Sequence, residues 1–330
     1  MAGIKDVAAR ARVSVATVSR VLNGHPAVRP GTRERVRAAI DELGYRPNGV
    51  ARSLRTDHTS TLGLVVSDVL NPFFTALARA VEDEARAHGY SVVFGNADEQ
   101  SALQDHHVRT LLERRIDGLL VSPTADSASL VTEVAGSGVP MVFVDRWIAG
   151  CPRVPVVRTD GRAAIAALVD HLHRLGHRRL AVITGPATTT TGNERAEAFL
   201  GALAAHGLPA PAHYREEGDF QAGSGRRATA RFLDLPEPPE AIFATDNLMA
   251  LGAMDEIRAR GLRVPDDVAL AAFDDIPWFL HTDPPVTAIA QPTEALGHGA
   301  VRALVDLIEG RPATSLTLTA DLVPRRSCGE

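Results

Sequence analysis

The side chains best suited to chemistry stand directly after short apolar runs. Asn71, Pro72, Phe73 and Phe74 follow Leu62 to Val66, Asn96 and Asp98 follow Ser91 to Phe94, and Asp145 with Arg146 follows Pro140 to Val144. Thr191 and Arg195 come after Leu180 to Thr184, with Phe220 further on, then Thr245, Asp246 and Asn247 after Ala241 to Ala244, and Asp274 and Asp275 after Val268 to Phe273. Carboxylates accept hydrogen bonds from hydroxyls, a guanidinium donates in a fixed fork, and an aromatic face covers the apolar side of a sugar ring. The set therefore points to recognition of a small ligand, a neutral sugar first and a nucleobase stacked on Phe74 and Phe220 second. Taken singly, each residue also has a plain structural use: the phenylalanines as core, the aspartates as helix caps, Arg195 as half of a surface ion pair.

Catalytic alternatives fail on specific grounds. No GxGxxG follows the first strand, no GxxxxGK[ST] occurs, and there is neither an HExxH nor a CxxC pair. His106 and His107 are adjacent, which is not a helical ligand spacing, and the neighbours Asp274 and Asp275 need not point into one site. The reading is a binding protein with no cofactor and no metal.

The elements that position these residues alternate in type. The apolar runs above, with Gly118 to Val121 and Val286 to Ala290, read as strands. Between them lie amphipathic stretches at 73 to 88, 161 to 175, 194 to 206, 246 to 260 and 294 to 308. Strand, helix, strand at this spacing implies right-handed crossovers and parallel sheets. A break near Cys151 to Val156 divides them into two doubly wound lobes, and ligands in such sheets sit beyond the carboxyl ends of the strands. The expected boundaries are residues 59–156 plus 289–318 for lobe 1 and 157–288 plus 319–330 for lobe 2.

A second chemistry sits at the N-terminus. The net charge of -5 conceals a split: residues 1–56 carry eleven Lys/Arg against four acids, +7, which leaves -12 for the remainder. A basic head on an acidic body suits a protein of which only the head meets a polyanion. Ile4, Val7, Ala8 and Ala11 space a short helix; Ser14 can cap a second over Val15 to Leu22, closed by Asn23-Gly24; Val36, Ala39, Ile40 and Leu43 space a third from about Gly31. This is an all-α helix-turn-helix head over residues 1–46, whose second helix sets Val15, Ala16, Thr17, Ser19 and Arg20 toward base edges; Arg20 can donate twice to guanine. The segment 47–58 is too short to hold a helix alone.

The stretches IKDVAARARVSVATVSRVLNG and VRPGTRERVRAAIDELGYRPNGVARSLR resemble the head of the lactose and purine repressor family, and GHRRLAVITGP, ATDNLMALGAMDEIRARGLRVPDDVAL and FDD extend the resemblance over the body. It implies a periplasmic-binding-protein-like body and a regulator, in most cases a repressor, controlled by a small molecule. It implies DNA contacts at Lys5, Ser14, Val15, Ala16, Thr17, Ser19, Arg20, Asn23 and Thr32. The hinge adds Asn48, Val50, Ala51, Ser53, Leu54 and Arg55, with Leu54 wedged into the minor groove. Effector contacts are implied at Phe73, Asp98, Asp145, Thr191, Arg195, Phe220, Thr245, Asp246, Asp274 and Gln291, with Phe74 added by the stacking argument. Two departures stand out: Arg12 replaces the family's turn glycine and Arg29 the serine before the third helix. A homodimer on a near-palindromic operator is expected, because paired half-sites require two-fold symmetry. The cytoplasm is the expected location, since MAGIKDVAARA has no apolar signal core and Cys151 and Cys328 form no disulfide framework.

Overall fold

The computed structural model describes residues 2–22, 25–45, 58–124 and 130–329. Asn23, Gly24 and the hinge positions Asn48, Val50, Ala51, Ser53, Leu54 and Arg55 lie outside the described residues. The chain divides into two compact units, Met1–Thr59 and Ser60–Glu330.

The first unit contains α1 (Ile4–Ala11), α2 (Val15–Leu22) and α3 (Pro30–Leu43). Val7, Ala8, Ala11, Val18, Val21, Val36 and Ala39 are its buried centre. Ser14 caps α2 as its sequence position suggests: the Thr17 N–H donates to Ser14 Oγ at 3.1 Å. The turn between α1 and α2 needs a left-handed residue, and Arg12 supplies it at φ +54°, a conformation that disfavours any Cβ. Arg29 precedes α3 without a side-chain cap, and Pro30 opens the helix.

The second unit holds two six-stranded sheets. The first is built from β1 (Thr61–Val66), β2 (Ser91–Asn96), β3 (Gly118–Val121), β4 (Met141–Val144), β5 (Val156–Asp160) and β11 (Leu316–Thr319), in the order β11-β5-β4-β3-β1-β2. The second takes β6 (Leu180–Thr184), β7 (Arg215–Glu217), β8 (Ala241–Ala244), β9 (Ala269–Phe273), β10 (Thr287–Ala290) and β12 (Asp321–Val323), in the order β12-β10-β9-β8-β6-β7. Neighbours run parallel except β12, which lies antiparallel to β10. Helices cover both faces. On the first sheet α4 (Pro72–Ala87) and α11 (Thr293–Ile308) share one core, and α5 (Ser101–Glu113) and α6 (Leu130–Ser137) share the other. On the second, α7 (Arg162–Arg174) and α8 (Thr190–Ala205) pack opposite α9 (Ala222–Leu233) and α10 (Asn247–Ala259).

The lobe boundaries differ from the sequence expectation. Val156–Asp160 is a strand that pairs with β4 and β11, so the first crossing comes after Asp160 rather than at 156. The expected cut at 288/289 falls inside β10, which belongs wholly to the second sheet, so the return to lobe 1 comes after Ala290. The expected cut at 318/319 falls inside β11, which belongs wholly to the first sheet, so the last crossing comes after Thr319. All three displaced cuts fall at strands whose apolar run is too short to reveal which sheet recruits them.

Candidate functional site

The carboxyl ends of the two sheets carry a buried polar cluster, and the bonds within it join lobe 1 to lobe 2. Asn71 caps α4, its Oδ1 accepting from the Phe73 N–H at 2.9 Å, while its Nδ2 crosses to Asp246 Oδ2 at 3.0 Å. Asp246 in turn caps α10, accepting from the N–H groups of Leu248 and Met249 at 2.8 and 3.0 Å. Asn247 Nδ2 donates to Asn71 Oδ1 at 2.8 Å, and Gln291 Nε2 to Asp274 Oδ1 at 2.6 Å. A further bond across the lobes runs from Gln221 Nε2 to Asp68 Oδ2 at 3.0 Å.

Two guanidiniums hold the charges. Arg195 lies over the Phe273 ring, 3.7 Å from its centroid, and donates to the Thr245 carbonyl at 2.8 Å. Its nitrogens are 3.9 Å from Asp145 and 4.0 Å from Asp274. Arg146 is gripped by both oxygens of Glu99 at 2.8 Å and lies 4.5 Å above the Phe220 ring and 5.8 Å from Phe74. Acids outnumber bases, and all are out of water. Burial pushes the Asp145 carboxyl up to about 6 despite Arg195 and Arg146. Burial, aided by the neighbouring Asp274 charge, pushes Asp246 up to about 7, and burial raises Asp274 as well. Desolvation outweighs pairing here because two cations are shared among four acids.

The backbone is strained where the cluster is built. Asp98, Glu99, Asp145, Phe220 and Asp274 all adopt left-handed φ values between +51° and +68°. Such residues gather where a precise side-chain direction is worth its conformational cost, roughly 1–3 kcal/mol each.

Comparison with known proteins assigns both units. Residues 3–48 match the bacterial regulatory proteins of the lacI family, and residues 169–328 match the periplasmic binding protein-like domain. The chain is 34% identical to the HTH-type transcriptional repressor CytR of Escherichia coli (strain K12) over 94% of its length and 91% of that protein's. It belongs to the lacI family. Among solved structures of this fold, the lac repressor dimer bound to operator and the anti-inducer ONPF is 30% identical, with a TM-score of 0.88 and 99% of both chains covered. The complex of the transcriptional regulator CelR with cellobiose is 33% identical, with a TM-score of 0.74 over 99% of this chain and 100% of that one. The chain is accordingly a DNA-binding transcription regulator and not an enzyme.

Placed in this lacI-family fold, Asp145, Arg195, Asp246, Asp274 and Gln291 come together, with the Thr245 main chain bound by Arg195 and Phe220 under Arg146. Thr191 is buried on the first turn of α8, one turn before Arg195. Phe73 and Phe74 meet edge to face at 5.1 Å and also belong to the lobe 1 core. Asp98 does not join the cluster. It is exposed and takes the Gln100 amide at 3.1 Å, while the next residue, Glu99, turns inward. Asp275 points away from Asp274 into a two-pronged pair with Arg325 at 2.7 Å. Asn71, Asn247 and Arg146 are legible as residues beyond strand ends but are missing from the family-derived contacts; Glu99 carries no sequence signal at all.

In the head, Lys5, Ser14, Val15, Ala16 and Arg20 are exposed and Thr17, Ser19 and Thr32 half-buried. Ser14 and Thr17 share a hydroxyl hydrogen bond at 2.9 Å, which fixes the start of α2. Not every basic residue is available to phosphate: Arg10 pairs with Glu42 at 2.6 Å, tying α1 to α3, and Arg33 donates to the His25 carbonyl.

Proposed function

We propose that this chain is a cytoplasmic repressor that binds a near-palindromic operator as a homodimer and whose operator affinity is set by a neutral sugar held between the lobes of the body. The observation that carries the sugar reading is a set of buried oxygens without a partner among the described residues: Thr191 Oγ1, Thr245 Oγ1, Asn247 Oδ1 and Gln291 Oε1. An unmet buried acceptor costs about 1–3 kcal/mol, and a polyhydroxyl ring brings many O–H donors on a compact apolar frame. The phenylalanine rings supply the apolar face such a ring needs. A nucleobase, held by stacking, is the second reading, favoured by Phe74 and Phe220 both lying close to Arg146.

The homodimer draws support from a groove of about 820 Å³ on lobe 1 and its neighbour, lined by residues such as Leu70, Pro72, Phe94 and Trp278. Leu70 is 75% and Trp278 54% exposed, a contiguous apolar surface of the kind that marks an interface. In the head, the recognition face stands on α2 with Val15 and Ala16 presented for thymine methyls and Arg20 for guanine. Among the described residues, no helix is long and apolar enough to cross a membrane.

Titration calorimetry of the full chain against D-ribose, cellobiose, adenosine and hypoxanthine tests the ligand class. Saturable binding of a sugar is expected, and binding of hypoxanthine alone would replace the sugar reading with the purine one.

A further inference from the structure

We infer that Glu99 is a positioning residue of the cleft: by gripping Arg146 it holds that guanidinium over the Phe220 ring and so fixes the surface on which a ligand is received. The inference rests on the proposed reading of the cleft as the effector site. It names a residue one place beyond the acid expected from the sequence, acting through another side chain rather than touching the ligand.

Three observations carry it. The first is the grip itself: Glu99 accepts from both terminal nitrogens of Arg146 at 2.8 Å, in the forked geometry that gives direction as well as attraction. The pair is sunk, with the side chains 16% and 5% exposed. The second is the backbone. Asp98 and Glu99 are successive non-glycine residues at φ +51° and +52°, a conformation unfavourable for each. The Glu99 N–H is tied to the Ser67 carbonyl at the end of β1 at 2.7 Å. This kink sends Asp98 to solvent and Glu99 inward.

The third observation is the competitor. Asp145 Oδ2 lies 3.8 Å from Arg146 Nε, so an Arg146 released by Glu99 has another carboxylate at hand and would be drawn away from the ring. Glu99 thus keeps Arg146 over the Phe220 and Phe74 rings, while Asp145 stays at the edge of both guanidiniums, 3.8 Å from Arg146 and 3.9 Å from Arg195. The charged groups facing Asp145 and Arg146 from the surrounding loops and helices are Glu99, Arg195, Asp246 and Asp274.

The test uses the full chain, with the signal of Trp147, the neighbour of Arg146, taken as the difference from a Trp147→Phe control so that Trp278 on the apolar groove is kept. Glu99→Gln, Arg146→Met and the double variant are compared. Glu99→Gln is expected to weaken binding of a sugar from the panel, D-ribose or cellobiose, at least tenfold, and the double variant to bind no more weakly than Arg146→Met alone. A readout that needs no ligand is the pH midpoint of Trp147 fluorescence. Because the Glu99 charge is among those that raise Asp145 and Asp246, this midpoint is expected to fall in Glu99→Gln. Additive losses in the double variant, or an unchanged midpoint, would overturn the inference. Should Glu99→Gln not fold, Glu99→Asp serves instead: charge retained but one methylene shorter, it is expected to keep the midpoint and lose affinity, and unchanged affinity would overturn the inference. If the parent protein binds none of the panel, the effector reading fails, and the Glu99–Arg146 grip is decided by the same double-variant cycle read as urea-melt stability, where additive losses would overturn it.

Discussion

In the head, Lys5, Val15, Ala16 and Arg20 face outward from three short helices whose centre is made of small residues, alanine and valine. In the body, Asp145, Arg146, Arg195, Asp246 and Asp274 are each under a tenth exposed and hold one another in place. The difference teaches how each region can change without losing its fold. Arg20, proposed to meet DNA, is exposed, so its removal is expected to cost binding and little else. A buried carboxylate in the cleft is paired, caps a helix or bridges the lobes, so if the proposed effector site is right, stability and ligand response rest on the same atoms.

The largest break in that contrast is expected from Arg195→Ala, which leaves Asp145 and Asp274 buried without their shared cation. Stranding a buried charge typically costs 3–5 kcal/mol. Urea melts should show the body destabilised by about that amount, with hydrogen-exchange protection in α1 to α3 unchanged; a loss below about 1 kcal/mol would mean the cluster is held by its other bonds. Acidity sharpens the same point. Asp145 and Asp246 titrate near 6 and 7 in the folded body, above an unfolded value of about 3.9. The folded state therefore binds more protons between pH 4 and 7, and stability falls as pH rises through that window. Carboxylates lowered by pairing, such as Asp160 at about 2, are ionised in both states above pH 5 and do not contribute there. The body is expected to be more stable at pH 5 than at pH 8, on the order of 4 kcal/mol. Equal stability at the two values would show that the cluster stays ionised.

The head's predictions are smaller and separable. Arg20→Ala should weaken operator binding by about 1–3 kcal/mol and relax selectivity at one base pair, with the body's melt unaltered. Arg12→Gly should relieve the left-handed turn between α1 and α2 and raise the head's stability by about 1 kcal/mol, read as slower amide exchange in α1 and α2. No change would mean that the turn is already relaxed around Arg12.

How much of this was legible in sequence follows the same division. Apolar spacing of 3.6 and a cluster of arginines are enough to draw the head, and Arg12 falls at the one turn position where a glycine belongs. Central strands such as Leu180–Thr184 declare themselves as apolar runs. Edge strands do not: Arg215–Glu217 is charged, Leu316–Thr319 faces water along most of its length, and Asp321–Val323 is three residues long. Helix α9, AGSGRRATARFL, is not among the stretches drawn from the sequence, because glycine in it serves packing against α10 rather than marking a turn; a Cβ at Gly225 would meet the Met249 carbonyl oxygen at 2.1 Å, and one at Gly252 of α10 would meet the Ala222 carbonyl oxygen at 1.9 Å. In the site, the rule that ligands sit beyond strand ends located the cluster. It could not choose between Asp98 and Glu99, since that choice is made by two left-handed backbone residues and not by residue type.

The central claim is that one region reads DNA and the other controls it. The most direct test is fluorescence anisotropy of the full chain on an operator recovered by selection from random duplexes, at 150 mM salt (a value chosen as about physiological), with and without each panel ligand that calorimetry shows to bind. A shift in operator affinity of about 5–150-fold, the range of ordinary allosteric coupling, is predicted. An operator affinity that stays constant while the ligand saturates the body would contradict the account.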